Sequence, residues 1–179
     1  MATTLPGWST EAERSFKEVL YRFLEEVHCT RAALYLQTPS GTYGLAVKYG
    51  FGRKDRLAEE LGPDQPLIVA LTDLGQEPLV VNQIQDHPEL SEYLATTGSS
   101  RMLVFPLVRA GQLVGFVDAR DKGGRQPFEA EDLHGAAAIS SELLGLVQDR
   151  GMYPEMDPTV ESAEPEDRTR HPAPTYNGT

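Results

Sequence analysis

The stretch from Ser100 to Asp121, SRMLVFPLVRAGQLVGFVDARD, constrains this chain more than any other. Two apolar runs of strand length meet at Ala110-Gly111, a dipeptide suited to a tight turn, so the stretch reads as a β-hairpin. Period-two alternation along the second run puts Leu113, Gly115, Val117 and Ala119 on one face. Val114, Phe116, Asp118 and Arg120 then lie on the other. The first face is small and apolar, as packing under helices requires. The second ends in a charged pair.

The remaining elements follow from local pattern. Residues 9–27 carry Ala12, Phe16, Val19, Leu20, Phe23, Leu24 and Val27 at helical spacing, which predicts a helix with a wide apolar stripe. Thr10 with Glu13 fits a capping box at its start. A first hairpin is expected from RAALYLQ (31–37) and TYGLAVKYG (42–50) around the turn TPSG. Between the hairpins, 55–62 and 66–75 read as short helices, 78–83 as a strand, and 87–98 as a helix opened by Pro88 and closed by Gly98. A last helix is predicted over 130–149, with Glu129, Glu131 and Asp132 at its start, where the helix dipole favours negative charge. Its middle, GAAAISS, is nearly all small.

The composition changes after Gly151. Residues 152–179 hold five prolines, six acidic residues against two basic, and no Leu, Ile, Phe or Trp. They form an expected disordered acidic tail (151–179), with residues 1–8 as an N-terminal extension and 9–150 as the folded domain. The whole chain carries 27 acidic and 16 basic residues, a net charge of −11. A field of that sign repels nucleic acid and anionic membranes. Cys29 is the only cysteine, so neither an internal disulfide nor a cysteine-based zinc site can form. His28, His87, His134 and His171 show no metal-ligand spacing, and no metal or cofactor is expected. With no signal-like segment and no membrane-length apolar run, the expected location is cytoplasmic.

The order helix, hairpin, helical excursion, hairpin, helix resembles the GAF domain family. The likeness rests on EPLVVNQIQDHP (77–88), on GSSRMLVFPLVRAGQLVGFVDARD (98–121) with Gly98, Ser100, Pro106, Leu107, Gly111 and Gly115, and on PFEAEDL (127–133). Glu129 stands where the family more often has a Ser or Thr cap. The resemblance implies an α+β fold with a central antiparallel sheet of about six strands. The N- and C-terminal helices would pack on one face. Short helices would cover the other face, with a ligand pocket beneath them.

Family members sense small ligands, dimerise, or in a few cases reduce free methionine sulfoxide. The reductase chemistry needs a second thiol to resolve a sulfenic acid. Cys29 lacks one and reads as a semi-buried filler. A haem would need an axial ligand, and His87, beside Pro88 at a helix start, reads better as a surface cap. Asp118 and Arg120 could bind a polar ligand's amine and acid, the plainer reading being a solvated ion pair on an edge strand. With Tyr49, Tyr93, Ser100 and Arg101 they are the candidate pocket residues. No nucleophile–base set stands out.

The expected function is therefore a non-enzymatic signalling module that dimerises and binds a small ligand or a protein partner. A purely structural adaptor with a filled pocket is the alternative, and a small enzyme such as a methionine sulfoxide reductase is disfavoured. The apolar stripe on the first helix is wider than one contact needs. Phe16, Leu20 and Phe23, with Leu143, Leu146 and Val147 of the last helix, are thus expected at a homodimer interface.

Overall fold

The computed structural model describes residues 10–75 and 77–149. Helix α1 (Thr10–Glu26) leads into β1 (Cys29–Gln37) and β2 (Tyr43–Tyr49). The excursion follows, with β3 (Glu60–Leu61), α2 (Pro66–Leu74), β4 (Leu79–Val81), two 3-10 turns (Ile84–Asp86 and Pro88–Leu90) and α3 (Ser91–Ala95). The second hairpin, β5 (Met102–Arg109) and β6 (Gln112–Lys122), feeds α4 (Ala130–Asp149). The six strands form one antiparallel sheet in the order β3-β2-β1-β6-β5-β4. The tail and the first residues lie outside the described residues.

The β5–β6 turn has two central residues, Ala110 (φ 51°) and Gly111 (φ 78°). Both sit at positive φ, which matches the twist of the flanking strands. Helices α1 and α4 pack on one face of the sheet. Phe16, Leu20, Phe23, Leu143 and Val147 are buried there against Leu34, Leu36 and Val117. Each large apolar side chain so buried contributes roughly 1.5–3 kcal/mol. At the crossing, a Cβ on Gly135 would come within 2.2 Å of the Glu26 carboxylate, so the bare glycine leaves room for that side chain. The α4 start is closed by Asp132, whose Oδ2 accepts from the Glu129 amide at 2.8 Å and from Lys122 Nζ at 2.8 Å. Asp132 thus supplies the reciprocal half of a capping box.

The structure corrects several expectations. Residues 55–62 form no helix. The Asp55 carboxylate accepts from the Gly52 amide at 2.6 Å, the Glu59 carbonyl takes the Leu45 amide at 2.8 Å, and Glu60–Leu61 pair with β2. An open sheet edge outcompetes a helix of two turns, which is marginal by itself. The alternation on β6 also breaks. Leu107 faces Gly115 but Val108 faces Leu113, so Val114 is an extra residue. This bulge moves Val114 to the helix side and Leu113 to the excursion side. Thr10 is already the first helical residue of α1, and the Glu13 carboxylate, expected in a capping box with it, pairs with Lys17 at 2.8 Å.

The wide stripe on α1 is consumed inside the chain. Of the six residues expected at a dimer interface, five are buried in the core and Leu146 is half-buried. Outward, α1 shows Glu11, Arg14, Glu18, Arg22 and Glu25, with Tyr21 as its exposed large hydrophobic residue. No described helix is long and apolar enough to cross a membrane.

Candidate functional site

Below the bulge, strand parity turns Asp118 and Arg120 to the excursion face, and both are fully buried. Arg120 Nε donates to Asp118 Oδ1 at 3.0 Å and Arg120 Nη2 to Asp118 Oδ2 at 2.9 Å. Arg120 Nη1 donates to Thr97 Oγ1. The Tyr93 hydroxyl donates to Asp118 Oδ2 at 2.8 Å, and the guanidinium lies 4.5 Å from the Tyr93 ring centre. Burial disfavours the guanidinium's charge, but the charge and hydrogen bonds of Asp118 outweigh it and hold Arg120 above its ordinary pKa. Burial, reinforced by the Asp118 charge, pushes the Tyr93 hydroxyl well above its usual range. The pair is therefore not the solvated edge pair expected from sequence, because β6 lies between β1 and β5.

A second layer surrounds it. Arg31, directly across from Arg120 on β1, donates to the Thr97 carbonyl at 2.8 Å, to Ser99 Oγ at 3.0 Å and to Asp121 Oδ2 at 2.5 Å. It also stands 3.7 Å from Asp55. Asp121 Oδ1 accepts from the amides of Ser100 (3.0 Å) and Arg101 (3.1 Å). The loop after α3 is thus stitched to β1 and β6 by charge-assisted bonds. Sequence reasoning missed Arg31, Thr97 and Asp121. The available signal was Arg31, a charge opening an otherwise apolar strand.

The space expected to be a pocket is filled by the chain's own side chains. Tyr35 stacks on Phe116 with ring centres 4.9 Å apart, and Tyr43 leans on the same ring at 5.9 Å. Leu67, Leu71, Leu90, Leu94 and Met102 complete the layer. The Tyr35 hydroxyl donates to the Ala58 carbonyl at 2.6 Å and that of Tyr43 to Leu113 at 3.0 Å. Cavities open instead at the sheet's margins. One, of about 720 Å³, lies beside β2 and is lined by Lys48, Phe51, Arg53, Asp55, Leu57 and Glu59 among others. Another, of about 890 Å³, lies at the start of β5 and includes Asn82, Ile84, Ser100, Arg101, Lys122 and Arg125.

The candidate residues separate accordingly. Tyr93, Asp118 and Arg120 come together. Ser100 and Arg101 line the 890 Å³ cleft. Tyr49 sits on the opposite face, its ring 5.8 Å from that of Tyr21 on α1. The cause is a bulge at Ala46: Leu34 pairs with Val47 but Tyr35 with Leu45. Cys29 belongs to the helix-side core, and burial pushes its thiol up to about 12. His87 Nδ1 lies 3.2 Å from Glu89 Oε1. Among the described residues no group of three His, Cys, Asp or Glu could hold a metal ion.

Comparison with known proteins agrees with this architecture. The GAF domain model matches residues 11–144. No curated protein matches. Among solved structures, the chain resembles a GAF domain/HD domain protein from Geobacter sulfurreducens at a TM-score of 0.65 and 17% identity, covering 79% of this chain and 95% of that one. A methyl-accepting chemotaxis protein segment gives 0.64 and 13%, covering 78% and 90%. A type II free methionine-R-sulfoxide reductase from Thermoplasma acidophilum gives 0.62 and 19%, covering 77% and 93%. With the family model spanning three quarters of its length and every strand of the sheet in place, the chain belongs to the GAF domain family.

Proposed function

We propose that this chain is a non-enzymatic regulatory GAF module that passes on a signal by protein contact, self-association included. One observation carries the reading. The polar groups on the sheet's excursion face, Asp118, Arg120, Tyr93 and Thr97, are bonded to one another beside packed aromatic rings of the same face. A substrate there would have to displace bonds already made within the chain. Recognition then falls to the surface. The chemotaxis protein among the similar folds is in keeping with a signalling role.

The reductase reading has one neighbour in its favour. Against it, Cys29 is buried in the helix-side core, across the sheet from the excursion face, and the thiol is held protonated. A thiolate is the reactive form. The filled apolar layer supports a second reading, a structural adaptor that only holds partners together.

Self-association would use the outer faces of α1 and α4, where Tyr21 is exposed and Leu144 and Leu146 are half-buried. Light scattering is expected to give a dimer mass, and Tyr21→Glu or Leu146→Glu a soluble monomer. A monomer mass for the wild type at about 50 µM, well below the millimolar range of weak encounters, overturns self-association. Turnover of free methionine sulfoxide by the purified chain overturns the non-enzymatic reading. Native mass spectrometry separates a bare adaptor from a module that retains a small molecule.

A further inference from the structure

The 890 Å³ cleft at the start of β5 carries an electrostatic feature that the regulatory reading does not use. Four charged residues line it: Arg101, Asp121, Lys122 and Arg125. Two are neutralised locally. Asp121 is paired with Arg31, and Lys122 with Asp132 at 2.8 Å. The two that remain are both guanidinium groups. Among the described residues neither Arg101 nor Arg125 has a carboxylate partner, although acidic residues outnumber basic ones 27 to 16 in the chain.

Arg101 is held in place by main-chain acceptors. Its Nε donates to the Asn82 carbonyl at 3.2 Å and its Nη1 to the carbonyl of Arg125. That leaves Nη2 without a described partner. The second bond also fixes the loop that bears Arg125. That loop is bent sharply, with Gly124 at φ 66° and Arg125 at φ 56°, a region that non-glycine residues seldom occupy. Strain of this kind persists where the surroundings impose it. Two like charges are thereby kept at one cavity whose acid, Asp121, is already taken up by Arg31 and by the amides of Ser100 and Arg101. The acceptors that Arg101 engages are main-chain carbonyls, which do not cancel its charge.

We infer that this cleft binds a small organic anion, with Arg101 and Arg125 gripping its carboxylate or phosphate group. Planar guanidinium forks suit both groups, since each offers two oxygens in one plane. The volume falls within the range of small-molecule sites. The net charge of −11 repels an extended polyanion such as nucleic acid, so a short, compact anion is the fitting ligand. The inference goes beyond the regulatory reading and holds for a monomer as well as a dimer.

The test is calorimetric titration of the full chain with citrate and, separately, with pyrophosphate at low ionic strength. Saturable binding of one equivalent per chain is expected for at least one of them, and the one that binds identifies the group as carboxylate or phosphate. Arg125 is exposed, so Arg125→Gln leaves the core intact, and it is expected to weaken binding by about tenfold or more. Arg125→Lys is expected to restore part of the loss. Arg53→Gln, at the other cavity, is expected to leave affinity within about twofold, because it removes one charge without touching the cleft. Absence of saturable binding to both anions overturns the inference. So does equal weakening by Arg53→Gln and Arg125→Gln, which would mean attraction to overall charge.

Discussion

Arg120 and Asp118, two residues apart on one strand, close a two-pronged ion pair with both side chains fully buried, Nε to Oδ1 at 3.0 Å and Nη2 to Oδ2 at 2.9 Å. A buried pair of this kind gains little over an apolar pair of the same volume, yet losing one partner strands a charge in a dry interior. Asp118→Ala is therefore expected to cost about 3–5 kcal/mol in urea unfolding. The double variant Asp118→Leu, Arg120→Met is expected to recover most of that loss. A double variant as unstable as the single one would show that the rest of the network, and not the pair, carries the stability.

Gly115 is required by the approach of β1. A Cβ built there would stand 2.5 Å from the Tyr35 carbonyl oxygen, a main-chain atom that cannot swing away. Gly115→Ala is expected to destabilise by about 1–3 kcal/mol, the usual range for overpacking. A thermal melt unchanged from the wild type would mean that the two strands separate freely at the bulge.

Cys29 yields a pH dependence of definite sign. Burial raises the folded thiol from 9.0 to about 12, so the unfolded chain loses this proton first as pH rises. Between those values the unfolded state binds fewer protons, and the thiol's contribution to stability falls as pH increases. It is fully present below about pH 9. Comparing wild type with Cys29→Ala between pH 9 and 10 isolates the effect, since every other titrating group is common to both proteins. The wild-type curve is expected to fall more steeply, by at most about 1.4 kcal/mol per pH unit. Native chain at pH 8 is also expected to resist alkylation, because almost none of the thiol is ionised. Rapid labelling of the folded protein would contradict the burial.

Residues 152–179 have almost nothing apolar to bury, with no Leu, Ile, Phe or Trp among them. A chain ending at Gly151 is expected to melt within about 2 °C of the full chain, a change of roughly half a kcal/mol. A larger drop would show that the tail docks on the domain.

Helix α1, both hairpins and α4 were legible in the sequence because each is written in local terms. A 3.6-residue or two-residue period, bounded by turn residues such as Ala110-Gly111, needs no knowledge of the rest of the chain. The family order of elements rests on the same local marks, and so does the presence of Asp118 and Arg120 on one strand face. Tertiary structure alone decided what those marks meant. Bulges at Ala46 and Val114 each added one residue to a strand, and one residue reverses every side chain beyond it. That is why Tyr49 faces α1 and not the excursion. Glu60–Leu61 became an edge strand, with the Glu59 carbonyl beside it, because β2 had amides to satisfy, a demand invisible from within the segment. The charged pair became a buried knot because β6 lies between β1 and β5, and strand order is set by which surfaces close over one another. For the same reason the apolar stripe of α1 ended in the core: its partners, Leu34, Leu36 and Val117, come from strands it meets only in the folded chain.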